Sequence, residues 1–96
     1  MKSEFAIRNE PGEYRMVVRC GEDGRFSVVG ESVHPITLTV RVEDAWCRIP
    51  PEKRRLSYAV AVRRDGCAEP FAQLKDVAPD ARIFLDFEET FEMDFT

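Results

Sequence analysis

Arg82-Ile83-Phe84-Leu85-Asp86-Phe87-Glu88-Glu89-Thr90-Phe91-Glu92-Met93-Asp94-Phe95 is the stretch that decides how this 96-residue chain is read. Ile83, Leu85, Phe87, Phe91, Met93 and Phe95 stand on odd positions, and Asp86, Glu88, Thr90, Glu92 and Asp94 on even ones. Side chains of a strand alternate between its two faces, so the pattern is that of a long β-strand with an apolar inner face. From Asp86 onward the other face carries four carboxylates and no cation. Glu89 alone breaks the odd-position rule, which predicts a bulge or bend there.

Working back, Tyr14, Met16, Val18 and Cys20 alternate with Arg15, Val17 and Arg19, and Gly21-Glu22-Asp23-Gly24 leads into Arg25-Phe26-Ser27-Val28-Val29. Two alternating runs joined by a glycine-bearing quartet predict a hairpin. A third strand is expected over residues 36–43, with Ile36, Leu38, Val40 and Val42 inward. Residues 44–55 contain Pro50-Pro51 and read as irregular. Residues 56–64 fit a strand through their β-branched and aromatic content. Residues 51–64 also fit a helix, with Pro51 at its first position, Glu52 in the first turn, Arg63 and Arg64 in the last, and Gly66 past the end. Residues 70–75 read as a short strand or one helical turn. The expected fold is all-β, a small antiparallel sandwich or open barrel in a single domain over 1–96, with an α+β arrangement if residues 51–64 are helical. The expected core is Phe5, Ile7, Met16, Val18, Phe26, Val28, Leu38, Val40, Tyr58, Val60, Leu85, Phe87 and Phe91.

The run Val77-Ala78-Pro79-Asp80-Ala81-Arg82-Ile83-Phe84-Leu85-Asp86-Phe87 resembles the corner before the penultimate strand of fibronectin type III and other immunoglobulin-like sandwiches. An apolar residue and a proline precede an alternating strand there. Ile83 stands where those corners carry tyrosine, and no later strand follows. The resemblance implies a sandwich and reaches no further.

Charge is unevenly placed. The net value is −4, yet residues 80–96 hold one arginine and six acids, a balance of −5. Direct nucleic-acid binding is disfavoured, because neutralising phosphates takes a clustered basic surface. The first ten residues hold no signal-like apolar run and no later run has the length of a membrane span, so a cytoplasmic protein is expected. Three cysteines with wide spacing read as free thiols.

Alternate carboxylates lie about 7 Å apart along a strand and repel in water by roughly 0.6 kcal/mol per pair before screening. A solvated ladder is therefore tolerated without a partner, with Arg15, Arg19 or Arg41 as cross-strand cations. The functional alternative is an anionic face, Asp86, Glu88, Glu92 and Asp94, docking on the basic surface of a protein partner, with nucleic-acid-binding proteins among the candidates. Trp46, in a proline-bounded loop, reads as a core anchor or as an apolar interface contact. The cluster Lys53-Arg54-Arg55 with Arg63 and Arg64 reads as solvated, or as the surface that meets the ladder of a second copy in a homodimer.

Other chemistry has less support. Cys20, His34, Cys47 and Cys67 have the inventory of a zinc site but no close cysteine pair. Ser32 and His34 share a face without a third group to activate them. Asp86 with Glu88 lacks a pocket for acid–base work. Gly21 and Gly24 lie in a hairpin with no helix after them, so they form no phosphate loop. The functional expectation is a non-catalytic interaction protein of inhibitor, immunity or adaptor type that needs no cofactor and no metal. The alternative is a self-associating structural subunit.

Overall fold

The computed structural model of the protein describes residues 3–7, 14–21, 23–64 and 66–96, with side chains from Arg15 onward. Among the described residues six antiparallel strands make one sheet: β1 (Ser3–Ile7), β2 (Tyr14–Cys20), β3 (Phe26–Arg41), β4 (Tyr58–Arg64), β5 (Ala72–Val77) and β6 (Arg82–Phe95). Their order is β1-β2-β3-β6-β4-β5, and the sheet stays open. The C-terminal strand thus lies at the centre, between β3 and β4. That differs from the penultimate place the corner motif implies, although Ala78–Ala81 does form a turn, with Ala81 N–H donating to the Ala78 carbonyl at 3.0 Å.

β3 and β6 are far longer than their neighbours, and their pairing is interrupted once. Ser32 pairs with Glu89 and Ile36 with Phe87, so Val33, His34 and Pro35 together oppose Glu88. Pro35 has no N–H to offer a ladder, which suits it to such a bulge. The Ser32 hydroxyl donates to the His34 carbonyl at 2.8 Å, and the His34 N–H donates to the Ser32 hydroxyl oxygen at 3.3 Å. Ser32 and His34 thus share a structural contact. Across from them Glu89 takes φ 71°, a left-handed turn unusual for a residue with a side chain. The expected break at Glu89 is this corner.

Beyond the corner, residues 36–41 and 82–87 run on as a two-stranded ribbon. Leu38, Val40, Leu85 and Phe87 of the ribbon belong to the same buried cluster as Val18, Val28, Val60, Val62 and Met93 of the wider sheet. Bent strands that pass from one layer to another through a bulge account for such a core. Phe87 meets Phe91 edge to face across the corner, ring centroids 4.4 Å apart. At the other end of the core Phe26 stacks on Phe95 at 4.2 Å.

Every expected core residue with a described side chain is buried; Phe5 and Ile7 have none described, although β1 sets them opposite Val18 and Met16. The strand reading of residues 56–64 holds over Tyr58–Arg64, and residues 72–77 form the edge strand β5. Two expectations are corrected. The strand expected over residues 36–43 is not separate but the second half of β3, continuous with the hairpin strand and ending at Arg41, and Val42–Trp46 forms a one-turn helix, α1, whose Val42 and Ala45 still reach the core. The segment 44–55 is not wholly irregular, because Pro51–Lys53 adds a 3-10 turn with proline at its start. The hairpin turn uses Gly24 at φ 88°, and a side chain there would also collide with the Lys53 carbonyl.

β5 pairs only with β4, and two of its residues, Lys75 and Asp76, bulge opposite Ala59. Asp76 takes φ 55° in that bulge. Gly30, opposite Phe91 in the ladder, has no room for a methyl group, which would lie 2.5 Å from Phe91 Cζ. The ring is fully buried and has nowhere to go. Gly30→Ala is expected to cost about 1–3 kcal/mol as overpacking, read as a lower urea midpoint at unchanged slope.

Candidate interaction face on the bent strand

The outer face of β6 is divided by the corner into two halves with different electrostatics. In the C-terminal half Arg63 stands opposite Glu92 in the β4–β6 ladder. Its Nη2 lies 3.1 Å from Glu92 Oε2 and 2.7 Å from Asp94 Oδ2, and its Nε donates to the same Asp94 oxygen at 3.0 Å. All three side chains are about one-third exposed. The cation expected from Arg15, Arg19 or Arg41 therefore comes from β4, because strand order sets β4 beside β6. Two of the four ladder carboxylates are matched within the molecule, which reduces that half to a net −1.

In the N-terminal half Asp86 accepts a hydrogen bond from the Thr37 hydroxyl across the β3–β6 ladder. Glu88, beside the bulge, makes no hydrogen bond or ion pair among the described residues. This half begins with two residues that alternation assigns to the outer face but that the acidic pattern hides: Arg82 and Phe84. Phe84 is 71% exposed. Thr39 faces it across the ladder, and Arg41 faces Arg82. Reading outward positions from residue 82 rather than from Asp86 finds both.

Trp46 is placed elsewhere. It is half-buried against the core cluster, and its Nε1–H donates to the Arg55 carbonyl at 2.8 Å. The Arg54 guanidinium lies over the ring, 4.8 Å from its centroid. Arg54 also donates to the carbonyls of Ile49 at 2.7 Å and Cys47 at 2.9 Å, while Arg55 reaches the Asp23 carbonyl at 3.4 Å. Trp46 is thus the anchor of the 42–57 segment, and two of the clustered basic residues are committed to holding it.

Tyr58 completes that attachment. Its buried hydroxyl donates to the Gly24 carbonyl at 2.9 Å, and burial pushes its pKa up. In the same turn Asp23 accepts the Arg25 N–H at 3.1 Å and faces the Arg25 side chain at 3.0 Å. The backbone hydrogen bond, with help from that guanidinium, holds its carboxyl below the ordinary value.

A concavity of about 700 Å³ lies by the C-terminal end of β6 and is lined by Arg19, Arg25, Arg63, Asp23, Asp94 and Phe95, among others. Arg25 is paired with Asp23 and Arg63 with Asp94, and Arg19 is also partnered. Its charges are matched side by side. A smaller cleft of about 180 Å³ beside the corner holds Asp86, Glu88 and Glu89 against Phe71, over whose ring Arg64 lies 5.1 Å from the centroid. Cys20 is buried, whereas Cys47 and Cys67 are exposed. Among the described residues no three of His, Cys, Asp and Glu converge as metal ligands, and no helix is long and apolar enough to cross a membrane. No protein-family model, curated protein or solved structure matches the chain.

Arg63→Gln is expected to lower stability by less than about 1 kcal/mol, since the network is partly solvated, and the difference should shrink in high salt. Paired thermal melts at low and high ionic strength measure it. Tyr58 gives an alkaline dependence. Its folded pKa exceeds the unfolded one, so its contribution is full below about pH 10 and lost as pH rises through the folded value. Tyr58→Phe is expected to flatten that alkaline loss in melting curves. At neutral pH it should cost about 1–2 kcal/mol by leaving the Gly24 carbonyl without its donor.

Proposed function

We propose that the protein is a non-catalytic interaction module that docks on a cationic surface of a protein partner through the outer face of the β3–β6 ribbon. The observation that carries this reading is the exposure of Phe84 between charged neighbours on a fully paired ribbon. Water gains nothing from a phenyl ring held in the open. An aromatic group rimmed by charge has the composition of an interface anchor. Asp86 and Glu88 supply the electrostatic selection, and Glu92 and Asp94, already matched by Arg63, contribute little. Trp46 belongs to the scaffold in this reading and not to the contact surface. A nucleic-acid-binding protein is one partner of this chemistry, with two carboxylates about 7 Å apart standing for neighbouring phosphates. Two exposed thiols fit a reducing compartment such as the cytoplasm.

A second reading, a self-associating subunit, is favoured by one observation. Arg41 and Arg82 face each other on the same surface with no anion on either among the described residues.

Affinity capture with the wild type, Phe84→Ala, Asp86→Lys with Glu88→Lys, and Glu92→Gln with Asp94→Asn separates the parts of the face. The first two variants are expected to lose the captured partner and the last to keep it. Retention by all three takes the ribbon out of the interface.

A further inference from the structure

The outer side of the ribbon reads, along β6, as Arg82, Phe84, Asp86: a cation, an aromatic ring and an anion at equal steps of about 7 Å. The facing strand repeats the sense, with Arg41 beside Arg82, Thr39 beside Phe84 and Thr37 beside Asp86. Two guanidiniums directly opposite each other on one sheet face repel, and only an anion from outside relieves them if none within the molecule does. Among the described residues neither Arg41 nor Arg82 has one. The nearest carboxylate on the same strand face, Asp86, lies about 13 Å from Arg82, beyond direct contact.

We infer that the occupant of this face is a second copy of the same chain, stacked face to face about a two-fold axis through Phe84. This rests on the ribbon being the docking surface. The axis runs across the strands, so that it reverses their direction while keeping β6 over β6. Phe84 then lies on its symmetry mate, Arg82 meets Asp86 of the second copy, and Asp86 meets the second Arg82. Arg41 faces the Thr37–Asp86 end, with Glu88 next along the strand. The alternative axis through Phe84, parallel to the strands, sets Arg82 over its own symmetry mate and repels itself. One orientation is selected, and it closes at two copies. Two paired strands of six residues have a footprint of about 20 by 10 Å, short of the roughly 800 Å² per partner of a standard interface, so the dimer is weak and sensitive to salt.

Sedimentation equilibrium of the full chain over a concentration series, at low and high ionic strength, tests this. A monomer–dimer equilibrium that weakens with salt is expected. Arg82→Asp and Asp86→Arg should each weaken it by at least about tenfold. Mixing those two variants should restore a dimer, because the first then carries two anions where the second carries two cations. Phe84→Ser should weaken association while leaving its salt dependence, and melting curves of all three check folding. If a reversal variant is unfolded, Arg82→Gln and Asp86→Asn replace it, each expected to weaken the dimer. A chain monomeric at every concentration overturns the proposal, as does a dimer indifferent to the substitutions or unrestored by mixing. If the chain is monomeric yet Phe84→Ala still abolishes capture of another protein, the self-pairing fails while the docking reading stands. If these variants change neither association nor capture, both fail.

Discussion

The contact between Phe91 and Gly30 across the β3–β6 ladder is the one on which the rest depends. Phe91 sits at the corner where both long strands change direction, and its ring needs the space that a missing side chain leaves. Phe87, on the far side of the bend, packs edge to face against it. One ring therefore couples the wider sheet to the ribbon. Without the corner the ribbon would project as a two-stranded arm, a form that is marginal by itself. With it, Leu38, Val40, Leu85 and Phe87 return their apolar side to the common core.

The corner also explains why one strand carries two kinds of surface. Past the bend β6 lies beside β4, and Arg63 is there to pair with both Glu92 and Asp94. Before the bend β6 has only β3 as its neighbour, whose outward residues are two threonines and Arg41. The unmatched charges and the uncovered phenyl ring gather where the second neighbour is missing. The candidate surface thus follows from topology as much as from composition.

Much of the fold is legible in the residues. A period of two with β-branched and aromatic content identifies β2, β4 and the two halves of β6. A glycine quartet marks the β2–β3 hairpin, and one acid at an odd position marks the corner. These are local signals. Helix α1 escapes because Val42 continues the alternation of β3, and only contact with the core shows that it begins a turn. Arg63 as the partner of the ladder escapes for another reason. Its nearness to Glu92 depends on β6 inserting between β3 and β4, a pairing across about thirty residues that no local spacing encodes. Phe84 is placed outward by parity, but it stands apart from the row of acids that dominates the same face. The position of Trp46 in the sequence fits an anchor and a contact equally, because its partners Arg54 and Arg55 lie eight and nine residues on and meet it only through the folded loop.

The far border of the sheet has a consequence of its own. β5 ends the ladder with Lys75 and Asp76 pushed out of register and Asp76 wound left-handed. A straight neighbour cannot zip along such a border, because the buckled backbone interrupts the row of donors and acceptors it would need and a lysine must be stripped of water. Lateral growth into a fibre is discouraged on that side.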